Sequence, residues 1–587
     1  MRGAISLAMI VRNEAENLKS CLDSVSGQVD EIIIVDTGST DGTVEIARLY
    51  TDKVYSYHWA DDFSAARNYA IEKAKGEWIL CLDADETLDL ATGDLKSLLA
   101  GENQLEAYLL PLNNPTTEST GEYNRFLVLR LFKNNGRYRF QGKIHEQICI
   151  SENGVVGIAD KPVIRHKLIT ARERNRKRGR NLALLKNVFS EDPQNYFIQY
   201  YIGVEWLMLG KPGKALPYFQ QAYENLTDEH LLFRSPALRY LIICLKDLGR
   251  TNEAIDLCRE AVLRYPAFTD VYYLCGVLHE EKKDYRTAIE WLNQAVGRGT
   301  PPALYSHMNG AGGFLAYSHL GFCHGMLGQS EEARKSYERA LEANPSYIFP
   351  VYNYFLIVMA KHGPYSAWER FKAKGYLNRI DLALAAANLF FVSGYPELAC
   401  RCLGNCAISR ARDEEYRYYW GKYNIYAGRL RQGLKCLRTI SGESGFYIPA
   451  QIHQAIALLL LGSCQEVKAL ALMLWKNHAA RCHAFVLLVL TGLMERRGDV
   501  KYPQKVHGIE LPKIAAEILE ECGHYHPVNK RIKDNTRFHR LIGSLESIIK
   551  NTSPGGCLIL MDYYRGKALG TKRFYEYKFE PAGVSYE

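Results

Sequence analysis

No run of apolar residues in this 587-residue chain approaches the roughly 18 to 20 that cross a bilayer, so no membrane-spanning helix is expected. The first residues, MRGAISLAMIVRNEAENL, lack the basic cluster of a secretory signal. Acids follow the short apolar stretch at once, and the segment reads as a first strand, which makes the cytoplasm the expected compartment. Fifteen cysteines are present without the regular spacing of a disulfide framework. They are scattered in apolar helical context, as reduced buried thiols are. The one cluster, Cys400, Cys402 and Cys406 in ACRCLGNC, has no partnering Cys-x-x-Cys or His pair and reads as helix packing. Recognised nucleic-acid motifs are missing too, so no nucleic-acid partner is expected.

What is present is an ordinary globular composition, 47% hydrophobic and 24% charged, at a length that calls for about three or four domains. The net charge of +8 is unevenly spread. Residues 1–100 hold 9 Lys/Arg against 18 Asp/Glu, whereas residues 161–190 hold 10 Lys/Arg against a single acid, Glu173. That basic stretch, RHKLITARERNRKRGRNLALLK, is predicted to be helical from Ala171. It is a solvated face, or it meets an anionic ligand or a membrane surface.

The first 168 residues alternate strand and helix. AISLAMIV, EIIIVD, KVYSYHW and EWILCLD read as buried strands, separated by the helices NEAENLKSCLDSV, GSTDGTVEIARLY and FSAARNYAIEKAKG. This βαβαβαβ order predicts a mostly parallel, doubly wound sheet, which binds ligands at the carboxyl ends of its strands. Asp36 and Asp83 are each expected there, as the last residue of a strand. Gly38 and Gly42 let the loop after Asp36 turn, and Asp41 reads as a helix-capping residue.

From about residue 190 the texture becomes helical throughout. A helix, a Gly-containing turn and a small residue recur, with the small residue at Ala215, Ala254, Ala288, Ala333, Ala367, Ala399, Gly433 and Val467. Four of the seven intervals are 34 residues, the tetratricopeptide period, and the longest contains a loop-like insert, GRGTPPALYSHMNGAGG. Such stacked pairs form an all-α solenoid whose concave face suits a peptide or protein, or they stabilise the N-terminal domain or a homodimer. The expected domains are 1–168, a basic linker helix at 169–190, repeats over 191–480, and a helical cap with an aromatic, basic tail over 481–587.

The segment ILCLDADET sets Asp83, Asp85 and Glu86 within four residues. Acids so close repel one another, so a positive partner, a metal ion or a metal-bound ligand, is expected beside them.

Taken together, SLAMIVRNEAENLKSCLDSV, EIIIVDTGSTDGT, DDFSAARNYAIEKAKGEWILCLDADE and GKIHEQI resemble the family 2 glycosyltransferases, nucleotide-sugar enzymes of the Rossmann-like GT-A fold. The tandem with tetratricopeptide repeats further resembles the bacterial group of sublancin-type peptide S-glycosyltransferases. The resemblance implies that Asp36 accepts the imide N–H of a uracil, that Asn13 and Glu14 flank the base, and that Arg67 lies near the nucleotide. It also implies that Asp83 faces the ribose, while Asp85 coordinates Mg²⁺ or Mn²⁺ on the diphosphate. Hard cations commonly bind through one or two carboxylates plus phosphates, which agrees. His166, ending KPVIRH, matches a position that some GT-A enzymes use as an additional metal ligand; the alternative is a hydrogen-bonded core histidine. Arg172 or Arg176 of the basic helix could lie over the diphosphate.

An inverting transfer needs a base to deprotonate the acceptor. The Glu-Asp pair that carries it in many family members is missing, and in FQGKIHEQI Glu146 is the best-placed carboxylate, with His145 as the rival. The expected function is a metal-dependent inverting transfer from a UDP-sugar to a peptide or protein held by the repeats. Two alternatives stand beside it. One is a peripheral-membrane enzyme of surface-glycan or lipopolysaccharide synthesis; the other is a repeat adaptor with an inactive transferase domain.

Overall fold

The structure is a computed structural model that describes residues 3–100, 104–117, 120–149, 155–168, 171–404, 413–495, 511–525 and 536–552. The side chains of 171–174, 176, 551 and 552 lie outside that description, as do Cys406 and the aromatic, basic tail.

Strands β1 (Ile5–Val11), β2 (Glu31–Asp36), β3 (Val54–Ser56) and β4 (Trp78–Leu80) pair in parallel. Helices α1 (Leu18–Ser24), α2 (Thr43–Arg48) and α3 (Phe63–Lys73) connect them. Their apolar residues alternate with period two. Ile5, Leu7, Met9 and Ile34 pack with Leu18, Leu22 and Ala47 on one face, while Ala8, Val35 and Ile79 pack with Ala70 and Ile71 of α3 on the other. A sheet covered on both faces needs such continuous apolar strands. Each fully buried Leu or Ile here contributes about 1.5–3 kcal/mol.

Beyond β4 the sheet is mixed. After β5 (Glu86–Asp89) and α4 (Leu95–Leu99) come β6 (Ala107–Pro115) and β7 (Tyr123–Lys133), a long antiparallel pair. β7 also runs antiparallel to β4. β8 (Arg139–Gln141) and β9 (Gln147–Cys149) form a separate ribbon, and β10 (Val156–Ile158) and β11 (Val163–His166) return to the sheet. The order is β3-β2-β1-β4-β7-β6-β11-β5. The expected parallel run is therefore unbroken only over the first four strands, although β10 and β11 again lie parallel to β6. Because the chain runs outward from β1 to β3 and then crosses back to β4, a crevice opens at the carboxyl ends of β1 and β4.

Helix α5 (Ala171–Glu191) leads into helix pairs: α6 (Tyr196–Met208), α7 (Pro212–Asn225), α8 (Leu231–Asp247), α9 (Thr251–Arg264), α10 (Thr269–Glu281), α11 (Tyr285–Arg298), α12 (Phe314–Met326) and α13 (Ser330–Ala343). The recurring Ala215, Ala254, Ala288 and Ala333 are fully buried. Opposite them, a Cβ on Gly276 would stand 2.6 Å from Leu292, and one on Gly321 would stand 2.5 Å from Tyr337. Small residues therefore set how closely each pair approaches.

These pairs belong to the same compact unit as the sheet, which extends to Tyr347. The insert between α11 and α12 is not an idle loop: its strand β12 (His307–Met308) pairs antiparallel with β7. Arg239 and Asp270, both essentially inaccessible, form an ion pair at 3.0 Å. Arg239 also donates to the Ser306 carbonyl, and Asp270 accepts the Met308 N–H, so the pair pins the insert in place.

A second compact unit begins at Ile348 and is helical throughout its described residues. It holds α14 (Phe349–Ala373, broken at Gly363), α15 (Ile380–Val392), α16 (Pro396–Gly404), α17 (Glu414–Tyr426), α18 (Leu430–Leu437), α19 (Tyr447–Leu461), α20 (Cys464–Trp475), α21 (Arg481–Met494), α22 (Leu511–Cys522) and α23 (Thr536–Thr552). Cys400 and Cys402 are buried in α16, and burial pushes the Cys400 thiol up to about 12. Among the described residues no helix is long and apolar enough to cross a membrane.

Candidate active site

Two loops meet at the carboxyl ends of β1 and β2. Asn13, in the left-handed region at φ 56°, accepts from Thr40 N–H at 2.7 Å, and its own N–H donates to the Ser39 hydroxyl. Glu14 N–H donates to Thr43, and Ala15 N–H to Asp41. Asp41 also accepts from the Thr43 N–H, which ties it to the loop in a structural role. Gly38 needs its φ of 100°, a value side-chain-bearing residues rarely adopt. Gly42 has φ −74° and needs no such freedom, which corrects the expectation for it.

Asp36 ends β2 as expected. Its carboxylate accepts from Gly38 and Ser39 N–H at 3.1 Å, which fixes it at the crevice. Asp83 is not a strand residue: β4 stops at Leu80 and Asp83 follows in the loop.

The acidic cluster is held by two arginines. Arg67 of α3 donates through Nη2 to Asp83 Oδ1 at 2.5 Å and through Nε to Glu146. Arg130 of β7 donates through Nη2 to Asp83 Oδ2 at 2.8 Å and to Glu86 at 2.7 Å. The result is a chain of alternating charge: Glu146, Arg67, Asp83, Arg130, Glu86. Burial works against ionised Asp83, yet Arg67 and Arg130 outweigh it and hold its carboxyl well below the usual range. Glu86, almost inaccessible, is raised by burial despite Arg130. It accepts the Asp83 N–H and so braces the loop.

Asp85 points to a different set of partners. Its Oδ2 lies 3.6 Å from His166 Nε2 and 3.3 Å from Lys177 Nζ of α5, and Lys177 is also 3.8 Å from Glu14. The His166 Nδ1 stands 2.8 Å from the Lys167 carbonyl. A carbonyl only accepts, so Nδ1 carries a proton, and Nε2 is the ring nitrogen that faces Asp85. A carboxylate and an imidazole nitrogen facing each other are donor types that a divalent cation accepts, with phosphate oxygens of a substrate as further ligands. Among the described residues no cluster of three or more His, Cys, Asp or Glu forms a complete protein cage. Burial raises Glu14, offset in part by its bonds to Asn17 and by Lys177.

His145 sits at φ 50°, with its ring stacked on Tyr201 of α6 at 3.8 Å and 3°. Burial pulls it down to about 4, and its Nε2 has no partner among the described residues.

The structure thus gathers Arg67, Asp83 and Glu146 into one group, and Glu14, Asp85 and His166 into another. Arg130, Lys177 and Tyr201 were not singled out from the sequence. Only Lys177 left a signal, the basic run that holds it; the side chains of Arg172 and Arg176 lie outside the described residues.

A sheet that reverses its strand order beside a cluster of carboxylates defines a ligand-binding α/β enzyme domain. The signature of Glycosyl transferase family 2 matches residues 6–109, and tetratricopeptide repeat signatures match 245–303 and 314–347. A TPR repeat-containing protein of Synechococcus elongatus is 37% identical over 276 residues, 45% of this chain and 65% of that protein. The SPbeta prophage-derived glycosyltransferase SunS of Bacillus subtilis is 30% identical over 324 residues, 52% of this chain and 73% of that one. The lipopolysaccharide core biosynthesis glycosyltransferase LpsC of Rhizobium meliloti is 30% identical over 161 residues, 25% of this chain and 58% of that one. The chain belongs to glycosyltransferase family 2, a glycosyltransferase domain followed by tetratricopeptide repeats, and is a homologue of SunS.

Proposed function

We propose that the chain is a metal-dependent inverting glycosyltransferase that moves a sugar from a UDP-sugar to a peptide or protein acceptor presented by the repeats. The observation that carries it is the convergence of Asp85, the Nε2 of His166 and Lys177 on one point beside the Asp83 loop. In this reading Asp36 receives the uracil N–H and Asp83 the ribose, with Arg67 and Arg130 fixing the Asp83 carboxylate. The loop of Asn13 and Glu14 flanks the base.

Asp85 and His166 would hold Mg²⁺ or Mn²⁺, which supplies Lewis-acid neutralisation of the leaving diphosphate. Lys177 adds a second positive charge from the protein itself. Glu146, aimed by Arg67, takes the acceptor proton as the acceptor attacks the anomeric carbon from the face opposite the diphosphate. His145 is the weaker candidate, because its lone pair is buried and burial disfavours its protonation. A cysteine acceptor needs little help, since a free thiol ionises near about 8.5, whereas a serine leans harder on Glu146.

The similarity to LpsC favours a second reading, a glycan or lipid acceptor at a membrane surface, with α5 touching anionic lipid. Release of UDP from UDP-glucose, UDP-N-acetylglucosamine and UDP-galactose, with and without Mn²⁺, tests the first reading. Sedimentation with anionic liposomes at physiological salt tests the second.

A further inference from the structure

The loop 142–146, between β8 and β9, carries Glu146, and helices rather than the ten-stranded sheet hold it. The Gly142 carbonyl accepts from Ser64 at 2.5 Å, and the Lys143 carbonyl accepts the Phe63 N–H at 3.0 Å, both from α3. Lys143 reaches Glu191 at the end of α5. Ile144, 4% exposed, packs among Leu182 and Leu185 of α5 and Ile198 and Ile202 of α6. The next residue, His145, stacks face to face on Tyr201. That ring is in turn fixed by Tyr200 at 5.1 Å and by Phe233 of α8 at 6.1 Å.

His145 is the residue whose backbone turns the chain toward Arg67. At φ 50° it occupies a region that non-glycine residues enter only when their surroundings impose it. Its Nε2 makes no hydrogen bond among the described residues, so no ring hydrogen bond at that nitrogen fixes it. The near-parallel stack on Tyr201 is the contact that holds the imidazole face.

We propose that Tyr201, on the first repeat helix, is a positioning residue for Glu146: its ring clamps His145 in the conformation that turns the Glu146 carboxylate onto Arg67. The inference rests on the reading of Glu146 as the general base. It extends that reading by making the first repeat part of the catalytic machinery as well as a platform for an acceptor. A continuous line of contacts runs from Phe233 through Tyr201, His145, Glu146 and Arg67 to Asp83.

The test uses the full chain with Tyr201→Leu, Tyr201→Phe, Glu146→Gln and the Tyr201→Leu/Glu146→Gln double variant. Metal-dependent UDP release gives kcat and the donor KM, calorimetry gives UDP affinity, and hydrogen exchange follows the peptide over 142–149. Tyr201→Leu is expected to lower kcat by about 10- to 100-fold, as a displaced catalytic group does, with donor KM and UDP affinity unchanged. Tyr201→Phe keeps the ring and restores kcat. The two losses do not multiply in the double variant, because Tyr201 acts through Glu146. Exchange over 142–149 rises in Tyr201→Leu while that over 78–86 stays as in the wild type.

Unchanged exchange over 142–149 in Tyr201→Leu overturns the proposal even if no donor turns over, and so do multiplying losses. A silent Glu146→Gln overturns the base reading instead, since Tyr201→Leu then still shows whether the loop depends on the stack.

Discussion

The Nη2 of Arg67 lies 2.5 Å from Asp83 Oδ1, and the same guanidinium bonds Glu146 through Nε. One buried cation therefore joins the residue assigned to the donor and the residue assigned to the acceptor. Replacing it with Met removes that link: Glu146 loses its arginine partner, and Asp83 keeps only Arg130, which it shares with Glu86. Breaking a buried pair from one side costs about 3–5 kcal/mol, so Arg67→Met should lower the first thermal transition clearly. Arg67→Lys should fall between, because an ammonium cannot bond both carboxylates in the fixed fork of a guanidinium. A wild-type melting profile for Arg67→Met would contradict the linkage.

Asp83 gives this linkage a pH signature. Its carboxyl is held below the usual range in the fold, so its contribution is fully present above the unfolded value of about 3.9. It is lost as pH falls from there toward the folded value. Asp83→Asn should cost about 1–3 kcal/mol near neutrality, less than a fully buried pair because the side chain is 33% exposed. The difference from wild type should shrink below about pH 4. Unfolding followed at pH 7 and at pH 3 checks it, and an equal gap at both would contradict the assignment.

Lys177 stands 3.3 Å from Asp85, where the diphosphate charge is proposed to sit. Lys177→Gln should weaken UDP binding by about tenfold, or about 1.4 kcal/mol, while UMP binding changes far less. The loss should be larger in EDTA than with Mn²⁺ present, since the ion then carries more of the neutralisation. Calorimetry with both nucleotides decides it, and equal losses for UDP and UMP would place Lys177 away from the β-phosphate.

The Arg239–Asp270 pair makes a prediction outside the site. Asp270→Asn leaves Arg239 buried and short of its counter-charge, and loosens the Met308 N–H at the start of the β12 docking. A destabilisation of about 3 kcal/mol or more is expected, together with faster hydrogen exchange over 303–313. Exchange unchanged in that segment would show that β12 does not depend on the pair.

Local pattern carried much of this arrangement and long-range pairing carried the rest. The apolar runs of β1 and β2 announced themselves because a strand buried on both faces has little room for polar residues. Asp36, Asp83 and Asp85 were legible because each sits at or near a strand end. The 34-residue spacing of Ala254, Ala288 and their successors marked the helix pairs. Arg130 was not legible: it is 47 residues from Asp83 in sequence and meets it only because β7 pairs with β4. The docking of β12 on β7 escaped for the same reason, since two residues inside a Gly- and Pro-rich insert have no strand pattern. Tyr201 reads as one more aromatic of a repeat helix until the 142–146 loop is laid against it.

Metal-dependent transfer at the Asp85 site is tested most directly by UDP release from the three UDP-sugars by the wild type and by Asp85→Ala, each with Mn²⁺ and with EDTA. Release from at least one donor by the wild type with Mn²⁺ is expected, and its loss both in EDTA and in the variant. Release that persists at the wild-type rate in EDTA, or in Asp85→Ala, would contradict it.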